Sequence, residues 1–342
     1  MKKIHRRQLR KKGIIKRRIL ITTLLFSLTF TLAIGYSAFS TAINLSAKGN
    51  IYKVSDKCYE AKDNGDGTVS ITDYDKTCGS EVNIPSTIKG LTVTKIGNHA
   101  FENKGIMRLL LPDTLIEIGT YSFHRNEIET LILPNSLITV GSYAFQANNI
   151  KDLKMNNGLK QIKLDAFNQN YLTEINIPSS VTYMEGGAFS GNKFSGDEAF
   201  IYGINPDGST NYSILNSYAG KDATGTIIPD TVTTIQREAY VNIKYEEITI
   251  PSRIKIIPEY CFANSGANKI IIEYGVEKLY GMAFVGSNIT DIDLPSSIIQ
   301  ISQNTFSDNE NLKTININKP ENSISGAPWG AVNANVNWNG TD

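Results

Sequence analysis

The sequence predicts a mainly β solenoid of about nine 22-residue repeats, with short parallel strands, a cap at each end and one hairpin insertion. Three observations carry that expectation. Aromatic residues stand at Phe101, Phe123, Phe145, Phe167 and Phe189, and again at Tyr240, Phe262, Phe284 and Phe306, with every step inside each series 22 residues long. Eleven residues before eight of these aromatics stand Pro112, Pro134, Asn156, Pro178, Pro229, Pro251, Glu273 and Pro295, so proline dominates that slot. Apolar pairs such as Leu131/Leu133, Ile175/Ile177 and Ile248/Ile250 alternate like a short strand just before it. One such unit cannot bury its own apolar side, whereas stacked units bury a continuous core, so the period implies a solenoid.

The elements follow in chain order. Residues 1–18 hold ten Lys/Arg, among them Lys2, Lys3, Arg6 and Arg7, and no acid, whereas residues 19–47 are uncharged. Basic residues stay on the cytoplasmic side of a membrane while an adjoining apolar run enters it. Residues 1–18 therefore read as a basic cytoplasmic n-region and residues 19–42 as a signal peptide or membrane anchor. Residues 19–39 are long enough to span, yet the strongly apolar part, residues 19–34, has signal-peptide length, and both fates stay open. Cleavage would fall after Ala42 or after Gly35, each preceded by small residues at the right spacing. The run Gly35-Tyr36-Ser37-Ala38-Phe39-Ser40-Thr41 resembles signal peptides handled by the SipW type of signal peptidase in Gram-positive bacteria. A nucleic-acid-binding arm is the alternative, but such arms do not usually abut a run of this hydropathy. The remainder is expected outside the cytoplasm, either anchored at the cell surface or secreted.

Composition narrows the function. Of 342 residues, 41% are hydrophobic and 20% charged, enough to bury a sizeable core. The formal charge of +1 hides an asymmetry: beyond residue 18, 24 basic residues face 33 acidic ones, a net charge of −9. A nucleic-acid-binding body is excluded on that balance. Three His and three Cys leave little material for metal or His-based chemistry.

Residues 49–81 are expected to cap one end and residues 319–342 the other, because the open edges of a solenoid need covering. Cys58 and Cys78 lie 20 residues apart in a segment read as translocated, which points to a disulfide. Such a bond would contribute about 3 kcal/mol by restricting the unfolded chain. Cys261 sits where other repeats place Ala144, Ala166, Ala188 or Ala283, so it is expected as a small buried residue. Trp329 and Trp338 are placed to cover the last rung. Asp63-Asn64-Gly65-Asp66-Gly67 has calcium-loop character but puts Lys62 where the first ligand of such a loop belongs, so a hairpin turn is expected instead. Between Phe189 and Tyr240 the step is 51 residues, one repeat plus 29. There Asn205-Pro206-Asp207-Gly208 separates two apolar stretches, which predicts a hairpin inserted at about residues 195–225 and packed on the solenoid. Asn126, Asn148, Asn170, Asn192 and Asn309 follow their aromatics by three residues, where an amide can satisfy the backbone of neighbouring coils.

In the most regular copy, Leu133-Pro134-Asn135-Ser136-Leu137-Ile138-Thr139-Val140-Gly141-Ser142-Tyr143-Ala144-Phe145 resembles the L-P-x-S-L-x-x-I-G-x-x-A-F core of BspA-like, or Treponema pallidum-type, leucine-rich repeats. The resemblance extends over residues 82–318. It implies a leucine-rich-repeat solenoid on a bacterial surface or secreted protein, of a kind assigned to adhesion and protein binding, with no catalytic residues shared by the family. The first repeat departs from the pattern by five extra residues between Pro85 and Phe101.

If the apolar pair of each strand points inward, the alternate residues point outward along the sheet face. Those positions read Arg108 and Leu110, Thr130 and Ile132, Asp152 and Lys154, Glu174 and Asn176, Gly225 and Ile227, Glu247 and Thr249, Lys269 and Ile271, Asp291 and Asp293. They vary while the core repeats, which is how a rigid scaffold offers a recognition surface. Leu110, Ile132, Ile227 and Ile271 are candidate anchors for a partner, against the plain alternative that aliphatic residues suit strands. The expected function is binding of a protein or glycan through this face, with no cofactor, metal or catalysis. A self-associating envelope matrix is the alternative. A carboxylate hydrolase using a pair such as Asp291/Asp293 or Glu246/Glu247 is a remoter one. His99 and His124 belong to adjacent repeats and can approach each other, but no carboxylate or cysteine stands at ligand spacing.

Overall fold

The computed structural model describes residues 56–220 and 228–340. The expected export segment, residues 1–42, lies outside the described residues, as do Gly225 and Ile227. Among the described residues no helix is long and apolar enough to cross a membrane. Helix there is limited to the short 3-10 turns Asp56–Cys58, Lys76–Cys78 and Gly196–Ala199.

Each regular coil brings two short segments of chain to two parallel sheets. In one coil the first strand is Thr130–Ile132, with Leu131 buried between exposed neighbours. Leu133 is buried too, and Pro134, which has no N–H to donate, ends the pairing. The chain turns into Thr139–Val140, which pairs in register with Glu117–Ile118 on one side and Gln161–Ile162 on the other. It then bends at Phe145, fully buried between Phe123 and Phe167 with ring centroids 5.1 and 5.6 Å away. Burying such a ring contributes ~1.5–3 kcal/mol and stacking ~0.5–1.5 kcal/mol more, so the 22-residue period is the period of the core itself. Asn148 closes the bend as expected: its Nδ2 donates to the Phe123 carbonyl at 2.9 Å and the Phe145 carbonyl at 3.1 Å, and its Oδ1 accepts from the Ile128 N–H at 3.2 Å. Asn126, Asn170, Asn192 and Asn309 make the same carbonyl contacts in their coils.

The expected insertion is a rung in its own right. Phe200–Ile204 and Thr210–Tyr218 form the antiparallel hairpin, and Thr210–Tyr218 also pairs in parallel with Thr234–Ile235 of the next coil. Tyr218 stacks on Tyr240 at 5.6 Å. The long step therefore divides into 29 residues from Phe189 to Tyr218 and a regular 22 from Tyr218 to Tyr240. The molecule opens the same way. Tyr59–Asp63 and Thr68–Tyr74 form an antiparallel hairpin whose second strand pairs in parallel with Leu91–Ile96, and Tyr74 stacks on Phe101 at 5.2 Å. One aromatic column thus runs from Tyr74 to Phe189 and a second from Tyr218 to Phe306. The buried apolar side chains divide likewise, one cluster reaching from Tyr59 to Ala219 and the other from Leu215 to Ala331. The internal hairpin is a second cap at the head of a second block.

The outer caps follow expectation. Cys58 and Cys78 are disulfide-bonded, and Cys261 is a free thiol buried in the core, where desolvation pushes its pKa up. Trp329 is fully buried at the far end, where its carbonyl accepts from the Phe306 N–H at 3.0 Å, and Trp338 packs on it at 6.1 Å.

Candidate functional site

The face expected to bind is built from the first strands of the coils. Glu81–Asn83 pairs with Arg108–Leu110, Thr130–Ile132 with Asp152–Lys154, and Glu247–Ile250 with Lys269–Ile272. Asp291–Leu294, Thr314–Ile317 and Asn335–Trp338 form the last group. All are parallel and without offset, so a position in the repeat becomes a column on the surface. Asn83 lies beside Leu110, Ile132 beside Lys154, Thr249 beside Ile271 and Asp293 beside Asn316.

Arg108, Leu110, Thr130, Ile132, Asp152, Lys154, Lys269, Asp291 and Asp293 are exposed as expected, while Glu247 and Thr249 are half-buried. Two expectations need correction. Ile271 is half-buried, because the β-branched Thr249 in register beside it limits what water can reach. Glu174 and Asn176 are exposed but belong to no strand; the neighbouring Ile175 and Ile177 are only half-buried, so the burial that fixes register elsewhere is weak there. The sequence reading also missed Glu81, Asn83, Asn316 and Asn337, which extend the face into both caps. Alternation at Ile315/Ile317 was the available signal for the far end.

The two ends of this face differ in chemistry. Toward the N-terminus Leu110 and Ile132 are 52% and 57% exposed on successive rungs. Two of the nearby charges are paired, Arg108 with Glu81 at 3.2 Å and Lys151 with Glu129 at 3.1 Å, while the exposed Lys154 lies beside Ile132. Aliphatic side chains held this way gain by losing water against an apolar partner surface. Toward the C-terminus the outer columns are polar and tied to each other. Asn337 Nδ2 donates to Asn316 Oδ1 at 2.9 Å, and Asn316 Nδ2 donates to Asp293 Oδ1 at 2.8 Å, while Asp291 accepts from the Thr290 hydroxyl at 2.7 Å.

His99 and His124 do come together, and with a carboxylate that the sequence did not suggest. Glu102 lies 2.6 Å from His99 Nδ1 and 3.0 Å from His124 Nδ1. The hydrogen bond from His124, then that from His99, holds the Glu102 carboxyl below its ordinary range. Among the described residues no group of three or more His, Cys, Asp or Glu is placed to hold a metal ion. A polar cleft of about 460 Å³ lies against the first hairpin, lined by residues including Lys57, Glu60, Asp73 and Lys104, and Lys104 is paired with Asp73 at 2.8 Å.

With this geometry in place, the repeats match the model of the BspA type leucine rich repeat region, in six copies, over residues 73–195 and 215–328. The chain belongs to this leucine-rich repeat family. The unmatched residues between the two stretches carry most of the internal hairpin. Among solved structures, this leucine-rich repeat protein is similar to a leucine rich cell surface protein from Faecalibacterium prausnitzii A2-165, with 20% identity, coverage of 83% of this chain and 94% of that one, and a TM-score of 0.50. It is similar also to the pneumococcal vaccine antigen PcpA (16% identity, 77% and 80% coverage, TM-score 0.56). A leucine-rich repeat protein from Eubacterium ventriosum is a third (20% identity, 81% and 92% coverage, TM-score 0.54). At these identities the likeness establishes the fold. Among curated proteins none matches the sequence.

Proposed function

We propose that this leucine-rich repeat protein is an exported scaffold, anchored at the cell surface or secreted, that binds a protein or glycan through the N-terminal end of its sheet face without catalysing a reaction. The observation that carries the reading is the exposed aliphatic pair Leu110 and Ile132, which hold the same place in successive coils above a buried core. Apolar anchors of this kind favour a protein partner. Residues 1–18, rich in Lys/Arg, and the uncharged residues 19–47 support export. The Faecalibacterium prausnitzii protein of similar fold is a cell surface protein, which supports the same place.

The test is capture of a partner by the immobilised chain, repeated with the double variant Leu110→Asp, Ile132→Asp. Capture is expected to weaken by about 2 kcal/mol or more, with stability changed by less than about 0.5 kcal/mol. An equal loss of folding would make these residues core, and undiminished capture would move the site elsewhere. Self-association is a second reading, favoured by the amide ladder that reaches Asn337 on Asn335–Trp338. Sedimentation that depends on concentration would support it.

A further inference from the structure

The joint between the two blocks holds a pair of buried acids that no binding role uses. Asp165 and Glu238 occupy the same place in their coils, two residues before Phe167 and Tyr240. They are 1% and 6% exposed. Three features bring them together. Gly187 stands in the same place on the coil between them, and a Cβ there would collide with Asp165 Oδ1 and lie 3.0 Å from Glu238 Cβ. Its lack of a side chain opens the notch through which the two carboxyls meet. The rung carrying Tyr218 gives way at this corner: Asn216 is buried, donating from Nδ2 to the Glu185 carbonyl at 2.8 Å while its own carbonyl accepts from the Gly187 N–H at 3.0 Å. Ser190, on the first block, then donates directly to the Glu238 and Ala239 carbonyls of the second at 3.0 and 2.9 Å.

The donors around the pair are distributed unequally. Glu238 Oε1 accepts from Arg237 Nε at 2.9 Å and, at 3.5 Å, from the Tyr143 hydroxyl. Asp165 Oδ2 accepts from Gln146 Nε2 at 3.3 Å, but Asp165 Oδ1, pressed into the Gly187 notch, has no donor. Glu238 thus holds the stronger donors, and a proton on Asp165 turns the repulsion of two carboxylates into a hydrogen bond between them.

We propose that Asp165 and Glu238 form a proton-sharing clasp that closes the joint between the two solenoid blocks, and that the joint loosens when this proton is withdrawn. Desolvation raises the Asp165 pKa well above the ordinary carboxylate value, and the hydrogen bond and charge of Glu238 raise it further. The groups facing the pair are few. Arg237 opposes the shift but also pairs with Glu259 at 3.4 Å and lies over the Tyr260 ring. Tyr143 and, behind it, Tyr121 face the pair from the preceding coils with hydroxyls that burial keeps protonated. Lys163 and Glu185, two residues before Asp165 and Gly187, pair with each other at 3.5 Å. With the folded pKa raised, the stabilisation is complete below the unfolded value and is lost as pH rises through the folded one.

Hydrogen exchange of the full chain, corrected for intrinsic rates, tests this at about pH 5 and about pH 8. The ratio of protection at the Gly187 and Phe194 amides to that at the Phe145 amide, inside the first block, is expected to fall about tenfold or more with the rise in pH. Asp165→Asn supplies a permanent donor to Glu238 and should hold the ratio constant. Glu238→Gln removes the repulsion and supplies a donor to Asp165 from the other side, so the fall should be smaller than in the wild type, which keeps the test alive if one variant fails to fold. A wild-type ratio that does not change with pH overturns the clasp, as do variants that follow the wild-type fall. Recovery of protection at about pH 8 on adding calcium would overturn it too, by making the pair a cation site.

Discussion

In the first hairpin Asp66 accepts from the N–H and hydroxyl of Thr68, at 3.0 and 2.6 Å, and Asn64 donates to the Thr68 hydroxyl at 2.8 Å. In the internal hairpin Asp207 accepts from the N–H and hydroxyl of Ser209, at 2.9 and 2.6 Å, and Asn205 donates to the Ser209 hydroxyl at 3.0 Å. The flanking pairs match as well, Tyr59 opposite Tyr74 and Phe200 opposite Tyr218, with ring centroids 5.5 and 5.3 Å apart. What differs is the surroundings. The first hairpin is stapled by Cys58–Cys78, and a Cβ added at Gly67 in its turn would meet open space, whereas one at Gly208 in the second turn would run into the Ser179 carbonyl. The same local unit serves as an outer cap where a disulfide restrains it and as an internal joint where a neighbouring coil does. A solenoid can thus begin a second block without exposing a bare end, because the cap brings its own strand for the next coil to pair with.

The largest test of that comparison lies in the two aromatic columns. Phe145→Ala and Phe284→Ala should each cost about 3–5 kcal/mol. Hydrogen exchange should show each loosening chiefly the column it belongs to, the first headed by Tyr74 and the second by Tyr218. If both columns loosen together in both variants, the internal hairpin fuses the blocks and does not cap the second. A smaller effect separates the turns. Gly67 and Gly208 share a left-handed φ of 84°, so Ala costs about 1 kcal/mol of backbone strain at either place. At Gly208 it also meets the Ser179 carbonyl and should cost about 1–3 kcal/mol more. Urea unfolding of Gly67→Ala and Gly208→Ala reads the difference, and equal losses would deny the packing of the internal turn.

The smallest effect should be shared by both hairpins. Hydrogen bonds from Thr68 and Ser209, first from the side chain and then from the backbone, lower the pKa of Asp66 and Asp207. For a lowered carboxyl the stabilisation is present above the unfolded value and disappears as pH falls through the folded one. Melting curves of Asp66→Asn and Asp207→Asn should therefore lie slightly below the wild type at neutral pH and converge with it in acid. A gap that persists in acid would assign the effect to shape instead of charge.

Much of this was legible in the residues. Phe101 through Phe306 gave the period, the prolines gave the ends of the first strands, and the Asn at 126, 148, 170, 192 and 309 gave the closed bends. Their signals are local and recur in each coil, so stacking in register reinforces them. Other features left no such trace. The bends pass Tyr143 and Ala147, Asp165 and Gln169, and Glu238 and Asn242 through left-handed backbone. None of these is a glycine, and only the packing of neighbouring rungs holds them there. Tyr218 was hidden because the step before it has 29 residues, although the step after it is regular. Leu110 and Ile132 were legible as outward residues from strand alternation alone. The half-burial of Ile271 was not, since it depends on the neighbour that register supplies.

By itself the sequence determined the repeating coil, its buried aromatic column and the outward columns of its sheet, because each coil encodes the contacts it makes with a copy of itself. Only the tertiary structure decided that the chain restarts at a second cap, and that Asp165 meets Glu238 across Gly187. Those contacts depend on which rungs become neighbours where the period breaks, and that is set by the path of the backbone through the joint and by no pattern within a single repeat.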